Sequence, residues 1–395
     1  MPPRVCDADA ASGPPARLGS LTAVTTRVLI RGTGLIGTSL GIALTRQGYA
    51  VSLADPSPTA ERLARDLGAG ELATEGDEAP DVVVVAAPPD VAADVVIDAL
   101  ATWPESVVTD VASVKGVVLD AARAAGGDLT RYVGSHPMAG RERSGAGHAR
   151  GDLFEGRAWV VVPSPESGAS AVATVTDLAR SVGSAVTVMD AQTHDEAVAT
   201  ISHLPQVAAS LVAAQLRSLD EQALGLAGQG VRDVTRIAAS DPRLWTQIIA
   251  GNAGSIREVL GRVHADLGEL LDALAALADP DDAVGSLEVV NRTITHGNVG
   301  HARIPGKHGA GPAAYLPVTA IVPDTPGALA RLLTDVGEAG VNLEDLRIDH
   351  GLGQPFGLAE IMVVPAAAEH LQPVSYTHLR AHETVLDLVC RLLLE

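Results

Sequence analysis

Short, strand-length apolar runs alternate with amphipathic, helix-length ones from residue 27 to residue 189. Runs at 28–30, 49–53, 81–87, 107–111, 132–134, 159–162 and 185–189 predict strands. Helical periodicity over 35–47, 58–67, 91–100, after Gly116 and over 170–182 falls between them. The run DVVVVAA at 81–87 has no polar alternation, as expected of a strand buried on both faces of a parallel sheet. This order predicts an α/β fold with a Rossmann-type domain over residues 26–189. Tyr132-Val133-Gly134 is read as a short strand that delivers Ser135 and His136 to the carboxyl edge of the sheet.

Strand signals vanish after residue 190, and long apolar periodicities over 197–219, 244–260 and 263–277 predict an all-helical domain over 190–294. Its wide apolar stripes predict burial against a second subunit, hence a homodimer. A glycine-rich linker is expected over 295–314. It carries His296, His301 and His308, which read as solvated residues, and no metal is expected there. Strands at 316–322, 341–348 and 358–364 with a helix at 326–339 give the βαββ opening of a ferredoxin-like domain over 315–373, its second helix due near Ala366.

The two ends differ from this pattern. Residues 1–25 are rich in Pro, Ala, Gly and Asp, lack an apolar core segment of a signal peptide, and are expected to be a disordered lead. Residues 374–395, VSYTHLRAHETVLDLVCRLLLE, contain no glycine and one alanine in a chain rich in both. The start of that stretch resembles the in-frame translation of a common sequencing-library adapter. A non-native tail is therefore expected, the natural gene running off near Gln372 with the last helix and strand of the small domain missing.

Composition narrows the function classes. Of the 395 residues, 28 are Lys or Arg and 48 Asp or Glu, a formal charge of -20 that argues against nucleic acid or an anionic membrane as partner. Cys6 and Cys390, at opposite ends, offer neither a disulfide framework nor a cysteine metal site, and a reducing cytoplasm is the expected compartment.

The first strand, G-x-G-x-x-G, a helix, a second strand and a terminal acid occur in the order of a dinucleotide-binding unit. Gly32 is expected to make the tight turn, Gly34 to admit a pyrophosphate, and Gly37 to let the helix pack close, with Leu35 and Ile36 completing the loop. Asp55 suits the two ribose hydroxyls and repels a 2'-phosphate, so NAD is expected rather than NADP. Pro88 starts the loop beside the nicotinamide half. Hydride chemistry needs a group that accepts a hydroxyl proton: His136 is the candidate, with Ser113 positioned to share a hydrogen bond. In the helical region, HDEAVATISHLPQ supplies His194 and His203, and Arg236 suits a substrate carboxylate unless it pairs internally with Asp233 or Asp241. Read without a family, these residues fit an NAD-dependent hydroxyacid dehydrogenase with His136 or His203 as base, or a non-catalytic protein that senses NAD and an amino acid.

GLIG at 34–37, TDVASVKG, SHPMAGRERSG, DLFEGRAWVV, HDEAVATISHLP and VRDVTRIAASDPRLW together resemble the prephenate/arogenate dehydrogenase family. The resemblance spans residues 26–277 and implies NAD-dependent oxidative decarboxylation in tyrosine biosynthesis. In that scheme hydride leaves C4 of prephenate, His136 accepts the C4 hydroxyl proton, Ser113 orients that hydroxyl, and CO2 leaves as the ring aromatises to 4-hydroxyphenylpyruvate. Arg236 is implied to bind a substrate carboxylate, and His203 to shape the pocket. Members that use prephenate often read SHLPH; here Gln206 replaces the second histidine, which keeps arogenate open as an alternative substrate. DTPGAL at 324–329 and GVNL at 340–343 resemble an ACT module, which implies an aromatic amino-acid effector.

Overall fold

The computed structural model describes residues 25–140, 145–278, 285–304, 315–350, 354–368 and 370–371. The lead, the tail with Cys390, and His308 lie outside them, as does Cys6. Two compact units divide the chain, one formed by residues up to 224 with 234–260, the other by 225–233 and 261 onward.

The first unit begins with β1 (Arg27–Arg31), α1 (Leu35–Arg46), β2 (Ala50–Ala54), α2 (Pro58–Asp66), β3 (Glu71–Leu72), β4 (Val82–Val85), α3 (Pro89–Thr102), β5 (Val107–Asp110) and α4 (Gly116–Ala124). Its five strands pair in parallel in the order β3-β2-β1-β4-β5. The order in which successive strands are added therefore reverses between β1 and β4, the point at which open α/β sheets hold ligands. Period-2 geometry sorts the core: Val28, Ile30, Val82 and Val84 pack with Leu40, Leu44 and Trp159 on one face. Leu29, Val83 and Val85 pack with Val96, Leu100 and Tyr132 on the other. Both faces are covered, which accounts for the unbroken valine run of β4.

A second sheet follows, made of β6 (Gly134–Pro137), β7 (Ala158–Val162) and β8 (Ala185–Val188), with α5 (Ala169–Ser181) between the last two. This corrects the expected strand at 132–134. Tyr132 makes only an isolated bridge to Val108, whereas residues 134–137 pair antiparallel with β7, His136 opposite Val160. His136 thus sits inside a buried strand, not on a loop beyond a parallel one.

The helical stretch comprises α6 (Ala191–Val198), a π-turn (Ala199–His203), α7 (Leu204–Gln215), α8 (Glu221–Leu224), α9 (Gln229–Thr235), α10 (Pro242–Gly251), α11 (Ala253–Leu277) and α12 (Ser286–His301). Its residues are divided between the two compact units. It differs from the sequence reading in two respects. The break expected near residue 261 falls at Asn252, whose side chain is drawn to the Asp195 carbonyl at 2.7 Å. Residues 295–301, read as linker, continue α12 and carry His296 and His301 on a helix, because the glycines there are too few to break it.

The second unit also contains β9 (Leu316–Pro323), α13 (Ala328–Glu338), β10 (Asp345–His350) and β11 (Phe356–Val363) in an antiparallel sheet of order β10-β11-β9. That order is the 2-3-1 arrangement of the first three strands of a ferredoxin-like sheet. The third of its expected elements starts later than read: Gly340, at φ +70, ends the α13 turn, and pairing begins at Asp345 rather than 341. Helical backbone resumes at Pro365, and Leu371 is buried in the small core with Leu332 and Ile361.

Candidate active site

A cavity of about 920 Å³ opens at the switch point between β1 and β4 in the first unit. Gly32, Gly34, Leu35, Ile36, Asp55 and Pro88 line it, together with Ser113, His136 and Leu244. The glycine loop has the steric shape that the motif demands. Gly32 has φ +110, and a Cβ there would lie 2.4 Å from the Ala86 carbonyl oxygen. A Cβ on Gly37 would lie 1.9 Å from the Gly32 carbonyl oxygen. Gly34, by contrast, has nothing within 4 Å of a built Cβ, and it caps the N-terminus of α1 with no side-chain partner. Unpaired amides and the helix dipole there suit a phosphate. Asp55 directly follows β2, and its carboxylate accepts from the Thr33 amide (2.7 Å), the Thr33 hydroxyl (2.9 Å) and the Ser57 amide (2.8 Å). These bonds fix it at the cavity edge and leave one lone pair, on Oδ1, for a ribose hydroxyl.

Across the cavity, His136 is backed by a buried polar chain. Its Nδ1 lies 2.9 Å from Nε2 of His194, and Nδ1 of His194 lies 2.8 Å from Oδ1 of Asp195. Asp195 also accepts the amides of Lys115 (2.9 Å) and Gly116 (2.8 Å), so it caps α4. Burial alone would raise the Asp195 pKa, but the bonds from His194 and these two amides outweigh it and hold the carboxyl below its ordinary value. Burial, with the neighbouring His194 and Lys115, pushes His136 well below the usual histidine range, which keeps it neutral and able to accept a proton at neutral pH.

Beneath β6 lies a second buried set. Lys115 and Asp110 form an ion pair with side chains 1% and 0% exposed. Lys115 also donates to the Ser135 carbonyl at 2.7 Å, and Tyr132 donates to Asp110 at 2.7 Å. This set ties β6 to β5 one residue before His136.

His203 and Gln206 are buried beside this network rather than on the cavity wall. Asn252 donates to Nδ1 of His203 at 3.3 Å as well as to the Asp195 carbonyl, and Trp245 meets the His203 ring edge-on. Burial lowers the His203 pKa to about 4. Between about pH 6.5 and 4 the unfolded chain therefore binds more protons than the folded one at this site, and stability rises with pH across that window. Chemical denaturation is expected to show a loss of up to about 1.4 kcal/mol per pH unit from this group as pH falls, diminished in His203→Gln. A pH-independent difference between the two proteins would contradict this account. Gln206 bonds Ser210 and Ser240 at 3.5 and 3.4 Å, so the residue in the SHLPH position is held by neutral groups. Arg236 opens a 3-10 turn, Arg236–Ala239, is exposed, and is not part of the cavity wall.

The residues to which sequence reasoning gave no role are Asp110, Lys115, Asp195 and Asn252, and His194 was singled out without one. Their signal was present: adjacent polar His and Asp residues in an apolar helical run are costly to bury unless both find partners. The run Ala191–Ser218 is apolar and long enough by composition to cross a membrane. It nonetheless supplies the buried polar residues His194, Asp195, His203 and Gln206 to the first unit.

Comparison with known proteins agrees with this geometry. Residues 40–188 match the family model described as prephenate dehydrogenase, nucleotide-binding domain, and residues 190–284 match prephenate dehydrogenase, dimerization domain. The chain is 38% identical over 350 residues to a probable prephenate dehydrogenase, NovF, of Streptomyces niveus, covering 87% of this chain and 95% of that one. It is 31% identical over 264 residues to the cyclohexadienyl dehydrogenase of Zymomonas mobilis, covering 63% and 88%. Among solved structures, prephenate dehydrogenase from A. aeolicus in complex with hydroxyphenyl propionate and NAD+ aligns with a TM-score of 0.60 at 28% identity, covering 70% of this chain and 99% of that one. The chain belongs to the prephenate dehydrogenase family.

Proposed function

We propose that the chain is an NAD-dependent prephenate dehydrogenase that converts prephenate to 4-hydroxyphenylpyruvate and CO2 in tyrosine biosynthesis. The observation that carries this reading is one cavity whose wall holds the glycine loop, Asp55, Ser113 and a neutral, buried His136. The open backbone at Gly34 and the anchored Asp55 fit a dinucleotide, with Gly32, Gly34, Leu35, Ile36, Gly37, Asp55 and Pro88 as the residues that hold it. Bound there, NAD+ supplies the hydride acceptor. His136 accepts the C4 hydroxyl proton and Ser113 orients that hydroxyl. His203 and Gln206, buried behind the wall, support the substrate side, and for Arg236, which lies off the wall, the role of binding a substrate carboxylate rests on the family resemblance alone.

Asp55→Ala removes the acceptor for a ribose hydroxyl and the repulsion of a 2'-phosphate. Steady-state titration should show the KM for NAD+ raised about tenfold or more, with NADP+ use improved relative to NAD+. An unchanged ratio of the two cofactors would move their discrimination elsewhere.

Arogenate is the second reading, because neither Gln206 nor the neutral His203 places a cation beside the substrate side chain. NADH formation from prephenate, arogenate and simple hydroxyacids tests both. A kcat/KM favouring prephenate is expected, one favouring arogenate supports the second reading, and activity on hydroxyacids alone overturns both.

The exposed Ile201, Leu211 and Val212 on a run matched by the dimerization-domain model support a homodimer through the helical segment. The β9–β11 sheet with α13 supports an ACT-like module responsive to an aromatic amino acid. A cytoplasmic location accords with the two distant cysteines.

A further inference from the structure

His194 and Asp195 are buried, touch neither the cavity wall nor solvent appreciably, and are joined end to end with His136. Their hydrogen bonds determine where every proton in the chain sits. An ionised carboxylate is an acceptor only, so Nδ1 of His194 carries the hydrogen it donates to Asp195. In a neutral ring Nε2 of His194 is then bare and accepts from His136, so Nδ1 of His136 carries a hydrogen in turn. That leaves Nε2 of His136 as the unprotonated nitrogen on a residue that lines the cavity. Asp195 cannot swing away to relax this order, because the amides of Lys115 and Gly116 hold its two oxygens separately.

Resting on the prephenate dehydrogenase reading, we propose that His194 and Asp195 are positioning residues that fix the tautomer of His136 and take over its positive charge during turnover. The need arises from the site itself: an imidazolium confined to His136 lies among His194, Lys115 and His203, with no carboxylate of the described residues in contact with it. When the substrate O–H bond breaks, a new N–H bond forms at Nε2 of His136. The Nδ1 proton of His136 then passes to Nε2 of His194, one N–H breaking as the other forms, and the charge rests on a ring 2.8 Å from the Asp195 carboxylate. The C4–H electron pair leaves as hydride to the bound cofactor, and the C1–carboxylate pair enters the ring as CO2 departs. Aromatisation leaves a phenolate, which recovers the proton from Nε2 of His136 as the chain runs back. The overall reaction neither takes up nor releases a proton, so a reversible store two residues deep is sufficient.

The test uses the full chain and two readouts. Histidine ¹⁵N NMR of the substrate-free protein should show both His136 and His194 in the Nδ1–H tautomer, each signal assigned by its loss in His136→Asn and His194→Gln. Finding either ring in the Nε2–H tautomer overturns the proposal without reference to activity. Single-turnover NADH formation with prephenate then separates relay from simple support. The His194→Gln amide can bond both neighbours but cannot carry a proton through, so its rate should fall about 100-fold or more, with NAD+ affinity and the substrate KM within about threefold of the parent. A His194→Gln rate within threefold of the parent overturns the charge hand-off while leaving the prephenate reading intact. An inert parent protein with both tautomers as stated overturns the prephenate reading and, with it, the hand-off, while the tautomer assignment stands.

Discussion

His136→Asn should retain NAD+ binding and lose turnover by about 10²–10⁴-fold, the range that a positioned general base contributes. Asparagine has no basic nitrogen near neutral pH, yet it fits the space and offers an amide to His194. The cofactor cradle lies across the cavity, on the β1–α1 loop and at the end of β2, so its geometry does not depend on the imidazole. The informative comparison is therefore kcat against the dissociation constant for NAD+, measured on the same preparation. Undiminished turnover would remove His136 from the base role and return attention to His203, the other histidine that the sequence offers as base.

The largest effect on stability is expected at Lys115→Met. The Lys115–Asp110 pair is sealed from solvent, and removal of one partner leaves a buried carboxylate whose remaining donors are the Tyr132 hydroxyl and the Ala112 amide. Breaking such a pair costs roughly 3–5 kcal/mol. Replacement of both partners by neutral residues is often close to neutral, so Asp110→Asn in the Lys115→Met background should recover more than half of that loss. Denaturation midpoints of the two single variants and the double variant measure this directly. A single-variant loss below about 1 kcal/mol would show that the pair is worth no more than an exposed one. Activity should fall as well, because Lys115 anchors the Ser135 carbonyl next to His136.

The cofactor half of the site was legible in the sequence because its signals are local. The three glycines, Leu35 and Ile36 lie within six residues of one another, and Asp55 directly follows the next strand. Each has a local steric or hydrogen-bonding reason that holds in the fold, as Gly32 and Gly37 show against the Ala86 and Gly32 carbonyls. His136 and Ser113 were singled out from their chemistry, and both line the cavity. What remained hidden depends on contacts between distant parts of the chain. His194 and His136 are 58 residues apart, Asp195 and Lys115 are 80 apart, and Asn252 reaches across 57 residues to Asp195. No periodicity encodes such pairings. The misplaced strand at 132–134 has the same origin: apolar Tyr132 and Val133 look like strand residues, but the backbone partners of β7 belong to Gly134–Pro137.

The central claim is that this cavity oxidises and decarboxylates prephenate with NAD+. Its most direct measurement is the product stoichiometry from prephenate and NAD+ with the full chain, following NADH, CO2 and 4-hydroxyphenylpyruvate together. The account predicts equimolar appearance of all three, abolished in His136→Asn. Absence of NADH and CO2 from the parent protein, at a cofactor concentration shown to saturate it, would contradict the claim.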